Sequence, residues 1–197
     1  MIKRCFDVVF SILGLIILSP ILLIISILIK IDSKGSILFI QERVGKNNIE
    51  FNIYKFRTMR LASQTKGLLT LGNRDSRITR IGYFLRRYKF DEFPQLINIL
   101  IGDMSFVGPR PELRYYVNFY KEEDYIIFSV RPGITGLATL KYRNEVELLK
   151  AAEDPESFFI NTIIPDKLKF NKEYIKKQNL LLDLKLIIIT IVKVLIK

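Results

Sequence analysis

The chain has 197 residues, 49% of them hydrophobic, with 31 Lys and Arg against 20 Asp and Glu for a net charge of +11. That is room for one domain plus an apolar element, and a charge that favours anionic partners: lipid headgroups, phosphorylated substrates or nucleic acid. With no histidine and one cysteine, Ser-His-Asp triads, His-ligated zinc and an internal disulfide through Cys5 are excluded. Acid, base or nucleophile must come from carboxylates, lysines and hydroxyls.

From Val8 to Ile29 no residue is charged, and about 33 Å of helix is enough to cross a bilayer core. The run is longer than a signal-peptide core and lacks a small-residue cleavage site, so it is expected to be retained. Lys3 and Arg4 precede it and Lys30 and Lys34 follow it, so charge does not select one cytoplasmic end. Ser19-Pro20 lies near the middle, where proline removes a backbone donor and kinks a helix. These features leave three readings open: a kinked single span, a re-entrant hairpin, and a buried soluble helix.

Two β-prone runs, Ile37 to Ile40 and Phe51 to Phe56, flank the turn-rich Gly45-Lys46-Asn47-Asn48 and predict a hairpin or small sheet. Helical spacing follows, with Ile78, Ile81, Phe84, Leu85 and Tyr88 beside Arg74, Arg77, Arg80, Arg86, Arg87 and Lys89, opposed only by Asp75. So dense a basic face leans toward an anion or a membrane surface rather than a merely solvated side. Near the C-terminus, Leu180 to Ile196 is nearly all apolar, with Asp183, Thr190, Lys193 and Lys197 on one narrow helical side. Such a helix either packs into the core or lies in the bilayer interface.

Three constellations can carry chemistry. In Phe90-Asp91-Glu92-Phe93-Pro94-Gln95-Leu96 two acids precede a helical apolar pattern, so Asp91 is expected as an N-cap with Glu92 favoured by the helix dipole. The same geometry suits a nucleophilic carboxylate beside a phosphate, with a second carboxylate for a hard divalent cation. Gly108-Pro109-Arg110-Pro111-Glu112 fixes the backbone on both sides of one arginine, which can then clamp a phosphate. Tyr54-Lys55-Phe56-Arg57-Thr58-Met59 and Arg131-Pro132-Gly133-Ile134-Thr135-Gly136 can present cations and backbone amides to phosphate, although either alone also fits a purely structural loop.

Together these motifs resemble the bacterial sugar transferase family, the monotopic phosphoglycosyl transferases that act on undecaprenyl phosphate, in a compact form made of the catalytic domain alone. The resemblance runs through Lys3-Arg4-Cys5-Phe6-Asp7, Leu18-Ser19-Pro20, Gln41-Glu42-Arg43-Val44-Gly45, Tyr54 to Met59, Leu85-Arg86, Asp91 to Leu96, Gly102 to Glu112 and Arg131 to Gly136. It implies a mainly α fold with a small β-hairpin or sheet and amphipathic interfacial helices. It implies a re-entrant membrane helix over 1–34, broken at Ser19-Pro20, and a cytosolic catalytic unit over 35–197 on the bacterial inner membrane. Here the resemblance selects re-entry over the single span.

It further implies a covalent mechanism with Asp91 as nucleophile, Glu92 with Asp91 as ligands of Mg2+, and Arg86, Arg110, Lys55, Arg57 and Arg131 on the diphosphate. The donor is a UDP-sugar and the acceptor polyprenyl phosphate, in contact with membrane lipids, with room for a homodimer and no role for nucleic acid. The expected setting is the first membrane step in assembling an O-antigen, capsule or glycoprotein glycan. Two features depart from the family pattern. Phe90 and Phe93 stand where leucine is common, and Ala138 to Asn144 differs from the usual sequence. The rival reading is a membrane-anchored basic protein that binds nucleic acid or anionic lipid without catalysis, its two acids serving only as caps.

Overall fold

The computed structural model describes residues 2–60 and 77–196; Arg74 and Asp75 of the basic stretch, and Lys197, lie outside them. The fold is mainly helical with two small sheets. A long helix α1 (Ile2–Asp32) leads into an antiparallel hairpin of β1 (Leu38–Val44) and β2 (Glu50–Phe56), then α2 (Arg80–Tyr88) and α3 (Gln95–Ile101). Strand β3 (Ser105–Val107), helix α4 (Arg114–Val117) and strand β4 (Gly133–Thr135) follow, with β3 and β4 paired in parallel. Helices α5 (Leu137–Lys141), α6 (Glu145–Ala151), α7 (Pro155–Phe158), α8 (Ile164–Lys177) and α9 (Leu180–Leu195) complete the chain.

The hairpin forms where the alternation and turn residues place it. Asn47 and Asn48 take φ of 58° and 61° in its connection, a left-handed backbone that asparagine tolerates better than most side chains. One core gathers around α8, where Leu168, Ile164, Ile163 and Phe159 pack against Val44, Tyr116, Val117 and Phe128.

Among the described residues α1 is the single helix long and apolar enough to cross a membrane. It runs through Ser19-Pro20 as one element, where the resemblance implied two helices around a break. The physical reason is local. Pro20 has no N–H to offer the Ile16 carbonyl, and the Ser19 hydroxyl donates to that oxygen instead, at 2.8 Å, so no backbone acceptor is left bare.

Both ends of α1 hold the same globular unit. Near its start, Arg4 donates to the Leu100 carbonyl at 2.8 Å and Asp7 accepts from Ser105 Oγ at 3.1 Å and Phe106 N at 3.2 Å. Lys3 reaches the Val107 carbonyl at 3.0 Å, the Tyr174 hydroxyl at 3.1 Å and the carboxylate of Asp183. In its middle, Leu15 and Leu18 pack on Ile53, Leu96, Ile99 and Met104. At its far end, Ile25 and Ile29 pack with Phe56 and Leu85, and Asp32 accepts from Ile81 N at 3.1 Å. The opposite face of α1 is bare: Ile16, Ile17, Leu23, Ile24 and Ile27 are exposed.

Helix α9 repeats that inversion. Asp183, 3% exposed, faces the protein, as does Thr190, whose hydroxyl meets that of Thr135 at 2.6 Å, whereas Leu181 is 80% exposed and Ile188, Ile191 and Val192 also point away. In water such a helix would be inside out.

Candidate active site

The acids do not cap a helix. Asp91 and Glu92 lie in a 3-10 turn over Phe90–Glu92, and α3 begins only at Gln95, with Pro94 in the cap position and no side-chain cap. The amides of Leu96 and Ile97 donate instead to the backbone carbonyls of Phe93 and Pro94, at 3.1 and 3.0 Å, and the fixed φ of Pro94 suits a helix entrance. The expected N-cap role of Asp91 is therefore corrected: the carboxylate is not used up by backbone amides. The turn is launched by Lys89, which ends α2 at φ 61°, so the chain reverses and presents both acids to the groove between β2 and the loop after β3.

The two carboxylates then diverge. Glu92 is buried and accepts from Lys55 Nζ at 3.2 Å and from both terminal nitrogens of Arg110, one of them at 3.4 Å. Arg110 and Lys55 hold its carboxyl well below the ordinary 4.5, against the desolvation that opposes them. Glu92 in return raises the Arg110 guanidinium. Asp91 has an oxygen, Oδ1, that is buried with no hydrogen-bond partner among the described residues. Burial first, and the adjacent Glu92 charge second, push its carboxyl above the ordinary 3.8, while Lys55, Lys89 and Arg86 pull it back.

Each cation arrives on its own element. Lys55 stands at the end of β2, where burial lowers its ammonium and Glu92 raises it. Arg86, from the last turn of α2, donates through Nε to Thr58 Oγ1 at 2.9 Å. Arg110 comes from the loop after β3, and two glycines make that loop possible. Gly108 N donates to the Thr135 carbonyl and Gly133 N to the Pro109 carbonyl, each at 2.9 Å. A Cβ on Gly108 or Gly133 would strike the opposing backbone. The turn-rich Arg131 to Gly136 segment is thus the backbone partner that fixes Pro109-Arg110-Pro111.

Of the expected site residues, Lys55, Arg86, Asp91, Glu92 and Arg110 are brought together around the acidic turn. Arg57 and Arg131 are engaged elsewhere. Arg57 donates to the Ser33 carbonyl at 2.7 Å and to that of Lys34, closing the end of α1. Arg131 donates to the Gly102 carbonyl at 2.6 Å, at the end of α3 away from the acids. Ser19 and Pro20 lie within α1.

Other members escaped the sequence reading. Behind Arg110, Glu112 meets Arg43 at 3.6 Å and Lys167 at 3.3 Å. Gln95 is 1% exposed with Nε2 unpartnered, one turn beyond Asp91. An amide placed where the apolar stripe of α3 expects a hydrophobe was the available signal for Gln95. For Arg43 and Lys167 no local pattern existed, since their partners lie far along the chain.

No group of three or more carboxylate or thiol side chains converges among the described residues, so a metal cage built from protein alone is absent there. The pair nevertheless suits a hard cation: Asp91 keeps an uncommitted oxygen, and magnesium is commonly held by one or two carboxylates plus substrate phosphates.

The family model described as bacterial sugar transferase matches residues 1–197. The chain belongs to the bacterial sugar transferase family. Relatives within it include an Aeromonas hydrophila protein named UDP-N-acetylgalactosamine-undecaprenyl-phosphate N-acetylgalactosaminephosphotransferase, 43% identical over 140 residues, covering 70% of this chain and 33% of the relative. An Escherichia coli K12 protein named UDP-glucose:undecaprenyl-phosphate glucose-1-phosphate transferase is 34% identical over 197 residues, 98% of this chain and 40% of the relative. A Bacillus subtilis strain 168 protein named uncharacterized sugar transferase EpsL is 34% identical over 195 residues, 99% of this chain and 88% of the relative. This sugar transferase chain thus spans between a third and two fifths of the length of the first two relatives.

Proposed function

We propose that the chain moves a sugar-1-phosphate from a UDP-sugar to polyprenyl phosphate through a covalent intermediate on Asp91. The observation that carries this reading is the uncommitted, buried Oδ1 of Asp91 beside a Glu92 fastened by Arg110 and Lys55. A carboxylate that neither caps nor pairs has a lone pair to spend on phosphorus. The relatives' names supply the substrate class, and they differ in the sugar.

In the first step an Asp91 carboxylate oxygen bonds to the β-phosphorus of the donor, and the bond from that phosphorus to the bridging oxygen breaks. UMP leaves with the oxygen and its electron pair. In the second step a phosphate oxygen of the acceptor bonds to the same phosphorus, the aspartyl oxygen departs, and the carboxylate is restored with polyprenyl diphosphate sugar as product. Arg110, Lys55 and Arg86 neutralise the charge that gathers on the bridging and equatorial oxygens. Glu92 holds Arg110 and Lys55 in place. Magnesium, held by Asp91 and Glu92 with the donor's phosphates, would supply further charge neutralisation of the diphosphate.

The same reading places the chain on the inner membrane with α1 re-entrant, its continuous helix bending at Ser19-Pro20 when in the bilayer, and the rest on the cytosolic face. Its support is mechanical. A helix of 31 residues is about 46 Å long, yet residues at both of its ends bind the one globular unit. A helix standing across the bilayer would carry one end beyond a core of about 30 Å. The outward apolar faces of α1 and α9 fit a lipid neighbour.

The test incubates the purified chain, magnesium and polyprenyl phosphate with a panel of UDP-sugars and follows UMP. Without acceptor, mass spectrometry is expected to find a phosphosugar on Asp91. An adduct on another residue, or UMP release undiminished in Asp91→Ala, would sink the covalent route.

A further inference from the structure

The acidic turn is neighboured by cations and also by a set of aromatic rings. Phe84 and Tyr88 have centroids 4.8 Å apart, Tyr88 and Phe90 5.9 Å, Phe84 and Phe90 5.9 Å, and Phe90 and Phe93 4.9 Å. The four rings form one unbroken run. It begins at the surface, where Phe84 is 48% exposed, and ends at Phe90 and Phe93, the immediate neighbours of Asp91 and Glu92. Its root also packs on Ile25, Ile29, Phe56 and Leu85, so the run grows out of the junction between α1 and α2.

We propose that these rings hold the first isoprene units of the acceptor and so deliver its phosphate to Asp91. The inference rests on the transferase reading above. An acceptor phosphate attacking phosphorus on Asp91 drags an apolar chain with it, and that chain must leave the site over an apolar surface. Lys55, Arg86 and Arg110 claim the polar approach. The ring run offers the other exit, starting at the acids and ending on the surface at the half-exposed Phe84 of α2. A half-exposed Phe84 gains little from the protein core, but would bury its face under an isoprenoid lying on it. Arg87, over the Tyr88 ring at 5.7 Å, sits beside the run as a cation for the lipid headgroup level.

The experiment has two arms on the full chain in lipid nanodiscs. In the first, a polyprenyl phosphate with a diazirine on its first isoprene unit is irradiated, and the label is expected within residues 83–93. Label confined to other segments overturns the proposal. In the second, UMP release is measured against acceptor and donor concentration for Phe84→Leu, Phe90→Leu and the pair, with Phe84→Ala as a surface variant that leaves the core intact. The pair should raise the acceptor KM about tenfold while the donor KM stays within about twofold. An unchanged acceptor KM, or an equal rise in both, would mean the rings only brace the acids, and the proposal falls. A wild-type chain that releases no UMP but labels on the rings refutes the transfer chemistry and leaves the lipid path standing.

Discussion

Asp91 and Glu92 are chain neighbours in one turn, yet the regions on either side of them are built on opposite rules. The Glu92 side is a closed electrostatic knot: Arg110 from the loop after β3, Lys55 from β2, and behind them Arg43, Glu112 and Lys167. The Asp91 side is unfinished, with an oxygen that has no partner and rings for company. The lesson is a division of cost. One carboxylate is spent on fixing cations in place, which frees the other to carry the strain of being buried and unpaired.

The sharpest way to break that contrast is Asp91→Asn. UMP release should fall by on the order of 10^4-fold, the scale seen when a member of a catalytic set is lost. Thermal unfolding should show a Tm no lower than wild type, because the substitution removes a desolvated charge. A large drop in Tm would mean Asp91 is structural after all.

Glu92→Gln should do the reverse in kind. It strands Arg110 and Lys55, and breaking one partner of such a pair typically costs about 3 kcal/mol, read as a lowered Tm and denaturant midpoint. The pH signs also oppose. The Glu92 carboxyl is depressed when folded, so its stabilisation is full above 4.5 and is lost as pH falls through the lower folded value. The Asp91 carboxyl is raised, so its contribution is a penalty that grows as pH climbs from 3.8 through the higher folded value. Glu92→Gln should therefore flatten the acid limb of stability, and Asp91→Asn should steepen the net rise of stability with pH.

Arg110→Ala should cost about 100-fold in kcat/KM, the scale of one lost charge-stabilising donor. Lys55→Met gives a smaller and more diagnostic effect. The proposed covalent route needs Asp91 ionised, and Lys55 is the largest influence pulling its carboxyl down. The acid limb of kcat/KM should move to higher pH in Lys55→Met; an unmoved limb would separate Lys55 from Asp91. Smallest is Lys89→Gly, which relieves a left-handed lysine worth about 1 kcal/mol while shifting the same limb slightly upward.

Local signals served the hairpin and the basic helix well, because each is written in neighbouring residues: the asparagine turn, and the helical spacing of Ile81, Leu85 and Tyr88. Arg110 was legible as a rigid arginine, but its partner was not, since Glu92 reaches it only through the pairing of β3 with β4. Arg57 illustrates the converse. Two positions from Lys55, it reads as a residue of the same strand face, but β2 ends at Phe56, and the guanidinium closes α1 while Lys55 meets Glu92. The start of α3 was placed one turn too early, because acids before an apolar stripe read as caps while Pro94 sets the actual entrance.

The contacts of Lys3 reach Val107, Tyr174 and Asp183, which lie 104, 171 and 180 positions further on. A ribosome delivers α1 long before α9. Until α9 arrives, the ammonium of Lys3 lacks its carboxylate and the first turns of α1 cannot settle into their final contacts. The two helices with outward apolar faces thus lie far apart along the chain, α1 well before α9, and one buckle joins them. So remote a closure makes assembly slow by topology, and it places the locking of these two apolar faces late in the folding of the unit. Asp183→Asn should accordingly leave early collapse unchanged and delay that final step.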